Sequence, residues 1–238
     1  MTQSKISPFF SKRRETSAEI DLDVTGDRRG NETSSPSLCT PDGKGKRRQA
    51  ALKLWNSFTV VNYNCGSLSE LRTHQIIREL EQHKISAATI LGTRNSFAGD
   101  RTIGNYRLYY EGAGSNTLDQ HAGVIVVIHC KFVSTAKVNK IPAVAHRSLA
   151  VRIKTEFIDV TVIAGYAPGD HLPRSCRAPF WKQLSQSVRQ LPHRTIKIMG
   201  IDANGHIGRD GTGMVGEAGA EKWTENDMRY MNLRKQRK

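Results

Sequence analysis

From Phe58 onward the chain repeats one device: a short run of β-branched and aromatic residues cut off by Gly, Asn, Pro or a charged turn. FTVVNYN, ISAATIL (85–91), YRLYY (106–110), GVIVVIHC (123–130), SLAVRIK (148–154), IDVTVIAGYAP (158–168) and TIKIMG (195–200) all have this form. Such runs read as buried strands. Glu156-Phe157 marks a turn between two of them, which predicts a hairpin. Two helical patterns interrupt the series. Ser67-Leu68-Ser69-Glu70 has the spacing of a capping box and opens a helix carrying Leu68, Leu71, Ile76, Ile77 and Leu80. A second helix is predicted over about 178–191, with Phe180, Trp181, Leu184, Val188 and Leu191 on one face. Locally paired strands mixed with strand–helix–strand units predict an α/β fold, a sandwich of two sheets flanked by helices, over residues 57–238.

Residues 1–56 follow different rules. They are rich in Ser, Thr, Asp, Gly, Lys and Arg, and after the first ten residues they offer little to bury. This composition predicts a disordered basic tail. Of the chain's net charge of +14, the tail holds eleven Lys/Arg against seven Asp/Glu, or +4, and the remaining +10 lies on 57–238. Charge of that size calls for an acidic partner, most simply nucleic acid. Lys12-Arg13-Arg14 and Lys44, Lys46, Arg47 and Arg48 read as nuclear-import signals, as contacts to a DNA backbone, or as solvated charge in a tail. An import signal would place the protein in the nucleus. No run of about eighteen apolar residues occurs, so no membrane span is expected. Cys39, Cys65, Cys130 and Cys176 form no C-x-x-C pair, which argues against a disulfide framework or a zinc site.

Candidate chemistry collects where the predicted strands end. Asn64 ends FTVVNYN, Tyr166 lies in GYAP, and Asp202 and Asn204 lie in GIDANGHIG. Asp-x-Asn at a strand end puts two short oxygen-bearing side chains on one side of the backbone. A carboxylate there can bind a hard cation or take a proton from water, while an amide orients a phosphate oxygen. Taken alone, Asp-Ala-Asn-Gly also reads as a plain turn.

These pieces, in this order, resemble the endonuclease/exonuclease/phosphatase family. The likeness is nearest to the endonuclease domains of non-LTR retrotransposons, and more distant to apurinic/apyrimidinic endonucleases and pancreatic deoxyribonuclease. VVNYNCGSL carries the family's Asn at Asn64, VIAGYAP its Tyr at Tyr166, and MGIDANGHIG its Asp-x-Asn at Asp202 and Asn204. FWKQL (180–184) and ENDMRYMNL (225–233) also match. The resemblance implies hydrolysis of DNA phosphodiesters assisted by Mg²⁺ or Mn²⁺. It implies that Asp202 positions the attacking water. Asn64 and Asn204 would hold the phosphate and the metal shell, and Tyr166 would donate to a phosphate oxygen.

The sequence departs from the family pattern at two places. Where the family has a metal-binding Glu, this chain reads ILGTR, with Gly92 at that position. Asp100 and Glu111 are the nearest acids that follow. The family domain also continues into strands carrying a final Asp and a catalytic His, and this chain ends at Lys238 without them. The expectation is a degenerate member, incomplete at the C-terminus, in which the metal is held weakly or not at all. The alternative to hydrolysis is an inactive DNA-binding module.

One stretch of the tail stands apart. In QSKISPFF, Gln3, Ile6, Phe9 and Phe10 match the Gln-x-x-(Ile/Leu/Met)-x-x-(Phe/Tyr)-(Phe/Tyr) pattern of the PIP box. That peptide docks on the sliding clamp of DNA replication. The three apolar side chains would plug a pocket, and the basic residues after them suit an acidic partner surface.

Overall fold

The computed structural model describes residues 45, 48, 49, 55, 58–112, 122–134, 136–141, 146–205 and 224–235. The PIP-box-like residues Gln3, Ile6, Phe9 and Phe10 lie outside these, as do Lys12, Arg13, Arg14, Lys44, Lys46 and Arg47. Arg48 is helical and exposed.

The apolar runs pair into two sheets. The first contains β1 (Val60–Asn64), β2 (Ala87–Leu91), β3 (Gly99–Ile103), β4 (Tyr106–Glu111) and β5 (Val124–His129), in the order β1-β2-β5-β4-β3. β1 and β2 are parallel, and the other neighbours are antiparallel. The second contains β6 (Lys137–Ile141), β7 (Ser148–Lys154), β8 (Asp159–Tyr166) and β9 (Ile196–Asp202) in sequence order. β7 and β8 form the expected hairpin, and β9 joins β8 in parallel. Helix α1 (Glu70–Gln82) covers the first sheet. Helices α3 (Arg174–Gln190) and α4 (Glu225–Lys235) cover the second, and a single turn, α2 (Cys130–Val133), follows β5.

Strand alternation divides the buried residues among three interfaces. Val124, Val126 and Ile128 on β5 meet Leu149, Val151 and Ile153 on β7 and Val160, Val162 and Ala164 on β8 between the sheets. The intervening β5 residues, Ile125 and Val127, face Ile76, Ile77 and Leu80 of α1. Ile163 of β8 meets Phe180, Trp181, Leu184 and Val188 of α3, together with Leu233 of α4. The result is a four-layer helix–sheet–sheet–helix sandwich, as the strand and helix patterns predict. No helix among the described residues is long and apolar enough to cross a membrane.

Several details correct the sequence reading. The N-cap of α1 is Ser69, whose hydroxyl accepts from Arg72 N, so the Ser67–Glu70 box does not form. Leu71 is 72% exposed and belongs to no core face, because a start at Glu70 turns it outward. Helix α3 begins at Arg174, a turn earlier than expected, and Pro179 lies inside it. The added turn is anchored by Arg177, which donates to Leu172 O at 2.9 Å and pairs with Asp170 at 2.9 Å. β3 and β6 have no counterpart among the predicted strands. Both lie at sheet edges and mix exposed with half-buried residues.

The folded unit also reaches back across the expected boundary at 56/57. Trp55 is helical and only 2% exposed. Its ring stacks on Phe58 at 4.7 Å and tilts against Phe132 at 4.8 Å, closing the inter-sheet core. Trp55→Ala should lower stability by about 3–5 kcal/mol, the usual cost of emptying a buried aromatic site. Urea denaturation of the full chain measures it; an unchanged midpoint would show that the tryptophan is not part of the core.

Candidate active site

The inward-facing residues of β1, β2, β8 and β9 turn polar toward one end of the sandwich. On β1, Val60 is core and Asn62 and Asn64 follow it on the same face. On β2, Thr89 lies between the core residues Ala87 and Leu91. On β9, Gly200 and Asp202 continue the face of Ile196 and Ile198. Thr89 is fully buried, and its hydroxyl donates to Asn62 Oδ1 at 2.7 Å. That bond satisfies both groups inside the sandwich.

Gly200 lets β9 come close to this pair. A Cβ at position 200 would lie 1.9 Å from Thr89 Oγ1 and 2.8 Å from Asn62 Oδ1, well inside contact. One turn of the pleat further on, Asp202 of one sheet meets Asn64 of the other. Asn64 Nδ2 donates to Asp202 Oδ2 at 2.5 Å. Asn64 Oδ1 accepts from Gly66 N at 3.1 Å, which fixes the amide's orientation. The other carboxylate oxygen, Asp202 Oδ1, accepts from Asn204 N at 2.8 Å.

The remaining members frame this pair. Tyr166 pairs with Asp202 in the β8–β9 register. Arg147, which is buried, has its guanidinium carbon 5.5 Å from the Tyr166 ring centre and donates to Tyr166 O at 3.2 Å. Asn204 takes φ 48°, a conformation Asn tolerates, and its Nδ2 donates to Ala167 O at 2.5 Å. Thus Asn64, Tyr166, Asp202 and Asn204 do assemble at one end. Asn204, however, uses its side-chain N–H to hold the β8 exit.

One further residue braces the same exit, and the sequence reading gave it no role. Asn226 is fully buried; it accepts from Trp181 Nε1 at 2.9 Å and donates to Pro168 O at 2.9 Å. Helix α4 presents Asn226 from its first turn, and Thr224–Asp227 caps that turn. Thr224 N donates to Asp227 Oδ2 at 2.7 Å, and Asp227 N donates to Thr224 Oγ1 at 3.3 Å. Thr-Glu-Asn-Asp has the capping-box spacing, a signal visible in the sequence. Between them Glu225 pairs with Arg229, Arg174 and Arg177, and its hydrogen bond from Arg229 holds its carboxyl below the usual range.

Gly92 borders the site. A Cβ there would stand 3.0 Å from Asn64 Oδ1, 3.4 Å from Tyr166 Cζ and 3.6 Å from Tyr166 Oη. A longer side chain at 92 would therefore start at the cleft, but glycine brings no donor atom. Asp100 and Glu111 do not compensate. Asp100 pairs with Arg107 at 2.6 Å, and Glu111 pairs with Lys140 at 2.9 Å and His146 at 3.4 Å. Among the described residues no three His, Cys, Asp or Glu side chains gather as metal ligands. Asp202 is the carboxylate of the cleft, and it already accepts from Asn64 and Asn204. Asn64, Asp202 and Asn204 thus bring one carboxylate and two amides to the cleft, a donor set poor in charge for a divalent ion.

No family model matches this sequence, and no curated protein does. Solved structures do. The endonuclease domain of TRAS1, a telomere-specific non-LTR retrotransposon, superposes with a TM-score of 0.52 at 16% identity, covering 75% of this chain and 70% of that one. An AP endonuclease from Archaeoglobus fulgidus gives 0.51 at 14%, with 75% and 70% covered. The AP endonuclease LMAP from Leishmania major gives 0.54 at 10%, with 76% and 66% covered. The chain has the deoxyribonuclease-like fold of endonuclease/exonuclease/phosphatase proteins, as the motif order implied.

The close approach at Gly200 yields a test. Gly200→Ala should destabilise the protein by about 1–3 kcal/mol, because the added methyl overpacks against Thr89. Thr89→Ala in the same chain should recover part of that loss, a non-additivity expected of touching groups. Thermal melts of the two single variants and the double variant provide the comparison; strictly additive losses would show that the two positions do not touch.

Proposed function

We propose that this chain is a DNA-binding module built on an endonuclease fold, with a phosphodiester-binding cleft that does not cleave. Gly92 carries the reading: a position whose side chain would enter the cleft supplies no ligand. Mg²⁺ is commonly bound through one or two carboxylates, so losing one removes much of the site. The cleft keeps groups suited to a phosphate. Tyr166 Oη and the amides of Asn64 and Asn204 are potential donors, and the net charge of +14 favours a polyanion. A second reading, phosphodiester hydrolysis with Asp202 as base, draws support from the intact Asn64–Asp202 pair.

Supercoiled-plasmid nicking with Mg²⁺ and with Mn²⁺ separates the two. The expected result is retardation of the plasmid with no nicking above an Asp202→Ala control. Nicking that Asp202→Ala abolishes would establish the second reading. Gly92→Glu tests the missing ligand directly. It should cost about 1–2 kcal/mol, because Gly92 has φ 64° and a side chain there is strained. Nicking gained by this variant alone would locate the defect at position 92.

Recruitment belongs to the same proposal. The tail motif Gln3, Ile6, Phe9 and Phe10 would bring the module to the replication sliding clamp in the nucleus, with Lys12, Arg13 and Arg14 alongside. Full-length chain should be retained on immobilised clamp, and Phe9→Ala/Phe10→Ala should lower retention at least about tenfold, as loss of two anchors does. Equal retention of both would exclude the motif.

A further inference from the structure

The order β1-β2-β5-β4-β3 forces the connection from β2 to β3 to cross the ends of β5 and β4. It crosses at the end of the sheet that carries Asn64. Asn64, Leu91, Val124 and Glu111 fall in one register row, with Tyr110 and Gly99 paired beside it. The loop 92–98 is pinned along this rim. Thr93 N donates to Gly123 O at 3.1 Å and Arg94 N to Ala122 O at 3.0 Å. Phe97 N donates to Asn95 Oδ1 at 2.7 Å, closing a tight local turn.

This path starts in the cleft and ends at an exposed aromatic ring. A Cβ at Gly92 would lie against Asn64 and Tyr166. Arg94 is exposed and pairs with no carboxylate among the described residues. Phe97 is 48% exposed although its ring stands edge-on to Tyr110, with centroids 5.3 Å apart. Glu111, an acid on this rim, is offset by Lys140 at 2.9 Å. Strands lie about 4.8 Å apart, so the four spacings from β1 to β3 amount to roughly 19 Å. That reach spans several nucleotides of a bound strand.

We propose that loop 92–98 is a strand-tracking element for DNA. Arg94 holds a backbone phosphate, and Phe97 stacks on an unpaired base of a strand whose phosphodiester lies at Asn64 and Tyr166. A rigid half-exposed ring suits base stacking, which tolerates any sequence and needs an unstacked base. The ligand it fits is therefore single-stranded or gapped DNA in preference to intact duplex. The inference rests on the DNA-binding reading above.

Fluorescence anisotropy of the full chain tests it, with a labelled single strand and a blunt duplex of equal length over a salt series. Phe97→Ala should weaken single-strand binding about fivefold or more, given the usual worth of one base–aromatic stack, and change duplex binding less than about twofold. Phe97→Trp should keep the wild-type affinity, since it retains a stacking face. Arg94→Ala should weaken both ligands and reduce the salt slope by about 0.7–0.9, one phosphate contact. Thermal melts of each variant confirm folding. Wild-type binding that neither Phe97→Ala nor Arg94→Ala alters overturns this proposal alone. Failure of the wild-type chain to bind either DNA overturns it together with the DNA-binding reading.

Discussion

The site depends on how closely two sheets can approach at Gly200. Sheets normally stack about 10 Å apart, with side chains filling the gap. At this point the filling is a hydrogen-bonded Asn62–Thr89 pair on one side and no side chain on the other. That approach brings Asp202 and Asn64, from different sheets, within hydrogen-bonding distance. A larger residue at 200 would push β9 outward and separate the pair.

Around this contact the fold builds rigidity from the helical layer over the second sheet. The segment after Tyr166 carries no regular ladder of its own, so its carbonyls need partners elsewhere. Asn204 takes Ala167 O, and Asn226 takes Pro168 O. Asn226 is in turn fixed by Trp181 of α3. The geometry of the cleft's exit is therefore a product of the second sheet and its covering helices. The chemistry is limited at one position: Gly92 leaves open the spot from which a ligand would enter.

Much of the fold was legible in the sequence because its strands are buried on both faces. β2, β5 and β8 read as continuous apolar runs, and no other arrangement hides them. β3 (GDRTI) and β6 (KVNKI) escaped because edge strands meet water and need no apolar run. Trp55 was assigned to the tail because residues 1–56 as a whole are polar and charged and lack apolar periodicity; only the aromatic contacts with Phe58 and Phe132 reveal its place. Asn64, Tyr166, Asp202 and Asn204 were found through motif order. Asn226 lay within a matched segment, but its role needed the contact with Trp181, forty-five residues away.

By itself the sequence determined the layered α/β architecture, the strand ends that carry polar groups, and the absence of a ligand at position 92. Those properties are local: periodicity, residue type and order along the chain. The tertiary structure decided which atoms of those residues meet. It turned the Asn204 amide onto a backbone carbonyl, paired Asp202 with Asn64, committed Asp100 and Glu111 to cations, and laid loop 92–98 along the rim. Each outcome depends on contacts between segments far apart in the chain, set by sheet order and by the space left at a single glycine.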